Sequence, residues 1–123
     1  MLLGNLYTFI ITHQNDREFG AMLEINREHE IFKGHFPEMP VLPGVCQILI
    51  VKEMLSQVLN RNFTLRSSKS IKFLAVIEPD KVQQFSATVT YNQTLEKSII
   101  VNAVLFKDTQ NFLKMKGEFC ETE

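Results

Sequence analysis

Apolar and polar positions come close to alternating through much of the chain, while the middle carries one block with a different rhythm. Leu6 to Thr12 and Glu18 to Ile25 are short runs rich in β-branched and aromatic residues, with Asn15-Asp16 between them as a turn. They predict two strands. Ser70 to Ile77 predicts a third, stopped by Glu78-Pro79-Asp80. In the next, Val82, Phe85, Ala87, Val89 and Tyr91 approach strict alternation. Ser98 to Phe106 is almost continuously apolar, as expected of a strand in mid-sheet, and Asp108 to Asn111 makes a turn. Leu113, Met115 and Phe119 then face inward against Lys114, Lys116 and Glu118.

The different block runs from Gly44 to about Leu59. It has no internal Gly or Pro and is apolar over most of its circumference, which predicts a largely buried helix. At about 100° per residue, Lys52, Glu53, Ser56, Gln57 and Asn60 share one sector of roughly 140°. Gln47 lies almost opposite, alone. Before the helix, His29 to Lys33 predicts a helical turn. Gly34 to Pro43 holds three of the four prolines and is expected to be irregular. Strand, strand, buried helix and four further strands describe an α+β architecture with an antiparallel sheet around one helix. The 123 residues suffice for one domain, expected to span 1–123.

Composition narrows the function. A formal net charge of −1 argues against nucleic acid as a partner. No apolar run approaches the roughly 20 residues of a membrane span, and Met1 to Leu6 lacks the features of a signal peptide, so the expected compartment is the cytoplasm. The three histidines, with Cys46 and Cys120, show no metal-ligand spacing, so neither metal nor cofactor is expected. From Met54 to Ile77, Arg61, Arg66, Lys69 and Lys72 occur with no acid. That stretch is either a solvated face or a dock for an acidic partner.

The chemistry concentrates in Gly34-His35-Phe36-Pro37-Glu38-Met39-Pro40-Val41-Leu42-Pro43-Gly44-Val45. It reads as a stiff loop that presents a histidine and ends at a helix N-terminus. Gly44 lets the backbone come close to a ligand, and the free N–H groups of the first turn can hold a polarised oxygen. A base near an oxyanion donor is what proton abstraction beside a thioester carbonyl requires. Cys46, in the same turn, is either a nucleophile or a small apolar packing residue.

His35-Phe36-Pro37, followed by Pro40-Val41 and Pro43-Gly44-Val45, resembles the signature of the hotdog-fold 3-hydroxyacyl-carrier-protein dehydratases. The segment from Ile71 to Asp80 is similar to a strand and turn of the same family. Gln47 is shared with its aryl-polyene branch. The resemblance implies a long central helix wrapped by a curved antiparallel sheet, in a homodimer or higher even oligomer with shared active sites. It implies His35 as the base and the Gly44 N–H as oxyanion donor, with Phe36, Pro43, Val45 and Leu49 lining the substrate site. Acyl carrier protein would dock on Arg61, Arg66, Lys69 and Lys72.

Leu49 departs from that pattern, since it stands where the family carries Glu or Asp fourteen residues after the histidine. Three outcomes follow: His35 moves both protons, Glu53 reaches in from the next turn, or the domain binds acyl thioesters without dehydrating them. The expected activity is dehydration of 3-hydroxyacyl thioesters, carried on acyl carrier protein or CoA, to trans-2-enoyl thioesters. The alternatives are a hotdog thioesterase and a non-catalytic acyl-binding subunit.

Overall fold

The computed structural model describes residues 1–34, 38–95 and 97–122. Strands β1 (Tyr7–Gln14) and β2 (Glu18–Ile25) are followed by a single helical turn, α1 (Ile31–Gly34), and the 16-residue helix α2 (Gly44–Leu59). Four strands complete the order: β3 (Phe63–Phe73), β4 (Gln84–Leu95), β5 (Ser98–Lys107) and β6 (Gln110–Glu121). They form one sheet in the order β1-β2-β4-β5-β6-β3, with every pair antiparallel.

Period-two patterning sets the sheet's two faces. Phe19, Ala21, Leu23 and Ile25 of β2 are buried with Phe85, Ala87 and Val89 of β4, Ile99, Val101, Ala103 and Leu105 of β5, and Leu113, Met115 and Phe119 of β6. Helix α2 turns Cys46, Gln47, Ile50, Val51, Glu53, Met54 and Leu55 inward, so helix and sheet share one core. The helix begins where Pro43 has extended backbone and ends where Asn60 takes a left-handed conformation, φ 53°. Asn is among the few non-glycine residues that do so readily.

Two expectations need correction. The strand read as Ser70 to Ile77 is β3, which begins at Phe63 and ends at Phe73. Its pairing with β6 ends there: Phe73 faces Leu113, and the Leu74 N–H closes on Phe112 O at 2.9 Å. Bulges at Leu65/Ser67 and Ser68/Ser70 interrupt the alternation that would have revealed the earlier start. Glu53, placed in the polar sector of the helix, is buried at 7% exposure.

Candidate active site

Helix α2 opens at Pro43 with no side-chain cap. The N–H groups of Cys46 and Gln47 donate to Pro43 O at 3.1 and 3.2 Å. Those of Gly44 and Val45 have no acceptor among the described residues. Two free donors at the positive end of a helix dipole favour a polarised oxygen. Gly44 also lets the Phe73 ring lie close against the backbone. A Cβ there would lie 2.7 Å from Cζ of Phe73, whose half-exposed ring covers the start of the helix. Val45 is 66% exposed and Pro43 is half-buried, so this end of the helix is open to a ligand. His35 and Phe36 lie outside the described residues.

Val45, Leu49, Lys52 and Ser56 follow one another along the helix face that the sheet leaves uncovered. Leu49 borders a cavity of about 500 Å³ shared with Lys52, Glu53, Ser56 and Phe63, with Met1 and Leu2 on its wall. Glu53 is held tightly. Its Oε2 accepts the Leu2 N–H at 2.9 Å, and its Oε1 accepts the Leu3 N–H at 2.9 Å and the Tyr7 hydroxyl at 3.1 Å. Gln47, predicted to stand apart from the other polar positions, is buried. Its Nε2 donates to Leu42 O at 3.3 Å, and its Oε1 has no partner among the described residues. Burial raises the Cys46 thiol above its ordinary range, which fits packing rather than nucleophilic attack.

Burial, and then the adjacent Glu53 carboxylate, raise the Tyr7 phenol well above its ordinary value. A phenol that ionises less readily in the folded state contributes stability fully below its unfolded pKa, about 10. That contribution is lost as pH rises from there through the folded value. Denaturant midpoints are therefore expected to fall more steeply above about pH 10 in the wild type than in Tyr7→Phe.

The basic stretch divides. Arg61 donates to Glu121 Oε2 at 2.8 Å and lies over the Phe63 ring, and Arg66 Nη1 lies 3.8 Å from Glu118 Oε2. Lys69 and Lys72 are exposed, with no ion pair among the described residues. Sequence order hid their company. Lys72 faces Lys114 across the strands, and Lys116 comes next on β6, all bordering a shallow depression of about 310 Å³ with Ser70 and Asn102.

Residues 11–111 match the family model described as ApeI-like, ApeI dehydratase. The chain belongs to the ApeI-like dehydratase family. Among curated relatives, it is 27% identical over 71 residues to the 3-hydroxyacyl-[acyl-carrier-protein] dehydratase FabZ of Rickettsia akari, which is 51% of this chain and 49% of that one. It is 30% identical over 66 residues to FabZ of Rickettsia bellii, covering 47% and 46%. The chain thus spans about half the length of the curated relatives it matches. Among solved structures, a chain of the dehydratase heterocomplex ApeI:P from Xenorhabdus doucetiae superposes with a TM-score of 0.70 at 22% identity. That match covers 92% of this chain and 98% of the other. A hypothetical thioesterase with coenzyme A from Streptococcus pneumoniae gives 0.69 at 10% identity, covering 94% and 86%. The fold of this ApeI-like chain is the α+β hotdog.

Proposed function

We propose that this ApeI-like protein dehydrates 3-hydroxyacyl thioesters to trans-2-enoyl thioesters as a single domain in the cytoplasm. The observation that carries the reading is the pair of free N–H groups at Gly44 and Val45, beside the Phe73 ring, in a chain of a dehydratase family. The thioester oxygen sits against the Gly44 N–H, which stabilises the charge that develops as the proton beside the carbonyl leaves. His35 takes that proton. The 3-hydroxyl departs as water once protonated, and the same imidazolium supplies the proton, because Leu49 has none to give. Glu53 is poorly placed for that role, as both its oxygens already accept hydrogen bonds. Pro43, Val45 and Leu49 border the acyl path, and Phe36 is proposed to join them in shaping it.

The side chain of Leu49 favours a second reading, an acyl-binding subunit that acts beside a catalytic relative. The experiment is to follow enoyl absorbance with a 3-hydroxyacyl thioester, free-thiol release, and binding of the same thioester. Enoyl formation that His35→Ala abolishes supports dehydration. Thiol release points to a thioesterase, and binding alone points to the second reading.

The assembly proposed is a homodimer joined through β3. That strand ends the sheet, and Val45, Phe73, Leu74 and Val76 near one end of it are each at least half exposed. Light scattering at micromolar concentration should give twice the chain mass, and a monodisperse monomer would refute the assembly.

Acyl carrier protein is the proposed acidic partner, docked on Lys69 and Lys72 with Lys114 and Lys116 beside them. Arg61 and Arg66, half neutralised by β6 carboxylates, contribute less. Reversing the charge of Lys72 and Lys114 together is expected to slow carrier association at low salt about tenfold or more, with the difference shrinking as salt rises. Stopped-flow association rates measure it.

A further inference from the structure

Along the uncovered face of α2 the surface changes character. From Gly44 through Val45 to Leu49 it is apolar over about 7 Å of helix rise. Beyond Leu49 come Lys52 and Ser56, over about another 10 Å, with the buried Glu53 beside them. Here the N-terminal segment borders the cavity lined by Leu49, with Met1 and Leu2 among its apolar lining residues. That segment is bent back on itself. The N–H groups of Asn5 and Leu6 donate to Leu2 O at 3.1 and 2.8 Å, and Gly4 takes φ +91° and donates to Tyr7 O at 2.8 Å. The resulting hook is tied to the helix by the bonds from the Leu2 and Leu3 N–H groups to the two oxygens of Glu53.

A buried carboxylate needs its donors, and here two of the three belong to the backbone of the hook. Glu53 therefore fixes where Leu2 stands, and Leu2 lines the same cavity as Leu49. We propose that Glu53 is a positioning residue: through the hook it sets the end wall of the acyl cavity beside Leu49, and so limits the length of acyl group the site accepts. This rests on the acyl-thioester reading above, but not on whether the chain completes the dehydration.

The test measures binding of pantetheine thioesters carrying four-, eight- and twelve-carbon 3-hydroxyacyl groups, alongside amide hydrogen exchange at Leu2 and Leu3. In the wild type, affinity should rise from four to eight carbons and stop rising or fall at twelve. Glu53→Gln replaces one acceptor oxygen with a donor, so exchange at Leu2 and Leu3 should accelerate. Twelve-carbon binding should then improve about tenfold relative to four-carbon binding. A purely structural role would weaken all three ligands together. Leu2→Trp leaves Glu53 in place and narrows the cavity, and should shift the optimum toward four carbons. The proposal is overturned if the length profile stays unchanged in Leu2→Trp, if Glu53→Gln frees the hook without altering the profile, or if no acyl thioester binds. Loss of dehydration with the length profile intact overturns the enzymatic reading alone.

Discussion

Leu49→Glu is expected to raise turnover of a 3-hydroxyacyl thioester by about 10- to 10³-fold, the range a positioned general acid contributes. The site favours the change on two counts. Leu49 is half-buried against an open cavity, so a longer polar side chain meets space and water rather than packed atoms. The Glu53 carboxylate lies one turn further on and bounds the same cavity. A like charge there favours the neutral form of the introduced carboxyl, which keeps a transferable proton on it at higher pH. Lys52 borders the same space and moderates the effect. The stability cost should be about 1–2 kcal/mol, so melting must be followed beside rate. His35→Ala should abolish activity in both backgrounds. If the wild type is already fast and Leu49→Glu adds nothing, the missing carboxyl does not limit the reaction, and the role given to position 49 fails.

Glu53→Ala is expected to destabilise the fold substantially. It strands the Tyr7 hydroxyl in a buried position and removes the acceptors of the Leu2 and Leu3 N–H groups. A loss of about 2–4 kcal/mol follows from breaking hydrogen bonds to a charged group while leaving a buried donor unpaired. Calorimetry should show Tm lowered by roughly 10 °C. Adding Tyr7→Phe to Glu53→Ala should recover part of the loss, because the stranded hydroxyl is then gone. A Glu53→Ala protein that melts with the wild type would show that the three bonds hold nothing.

Where periodicity is strong, the sequence anticipated the structure. The expected block from Gly44 to about Leu59 is helix α2, and the nearly unbroken apolar run from Ser98 is β5, flanked by β4 and β6. Ile100, Val104 and Phe106 keep that run apolar because even its outer face is partly covered. Legibility failed where the deciding partner is distant along the chain. The polar stretch through Ser67, Ser68 and Lys69 does not look like a strand, yet β6 pairs with it across two bulges. A helical wheel put Glu53 with the polar residues and could not show that Leu2, Leu3 and Tyr7 close over it. Likewise the basic run was counted from neighbours in sequence, whereas its carboxylates arrive from Glu118 and Glu121. Phe73 was legible as part of a family strand, but its contact with Gly44 was not.

The sheet order also constrains the sequence of events during synthesis. β3 is made directly after α2, but its neighbour among the described strands is β6, the last of them, and Phe63 waits for Glu121. Until then, β3 is a long strand with two open edges beside an apolar helix, the kind of segment that pairs with the wrong chain. Its charged and bulged middle, from Arg66 to Ser70, is poorly suited to such mispairing. A nascent chain stopped before Gln110 would carry that hazard permanently. Native pairing of β3 therefore comes late, and non-local closure of this kind makes folding slow relative to a helical chain of the same length.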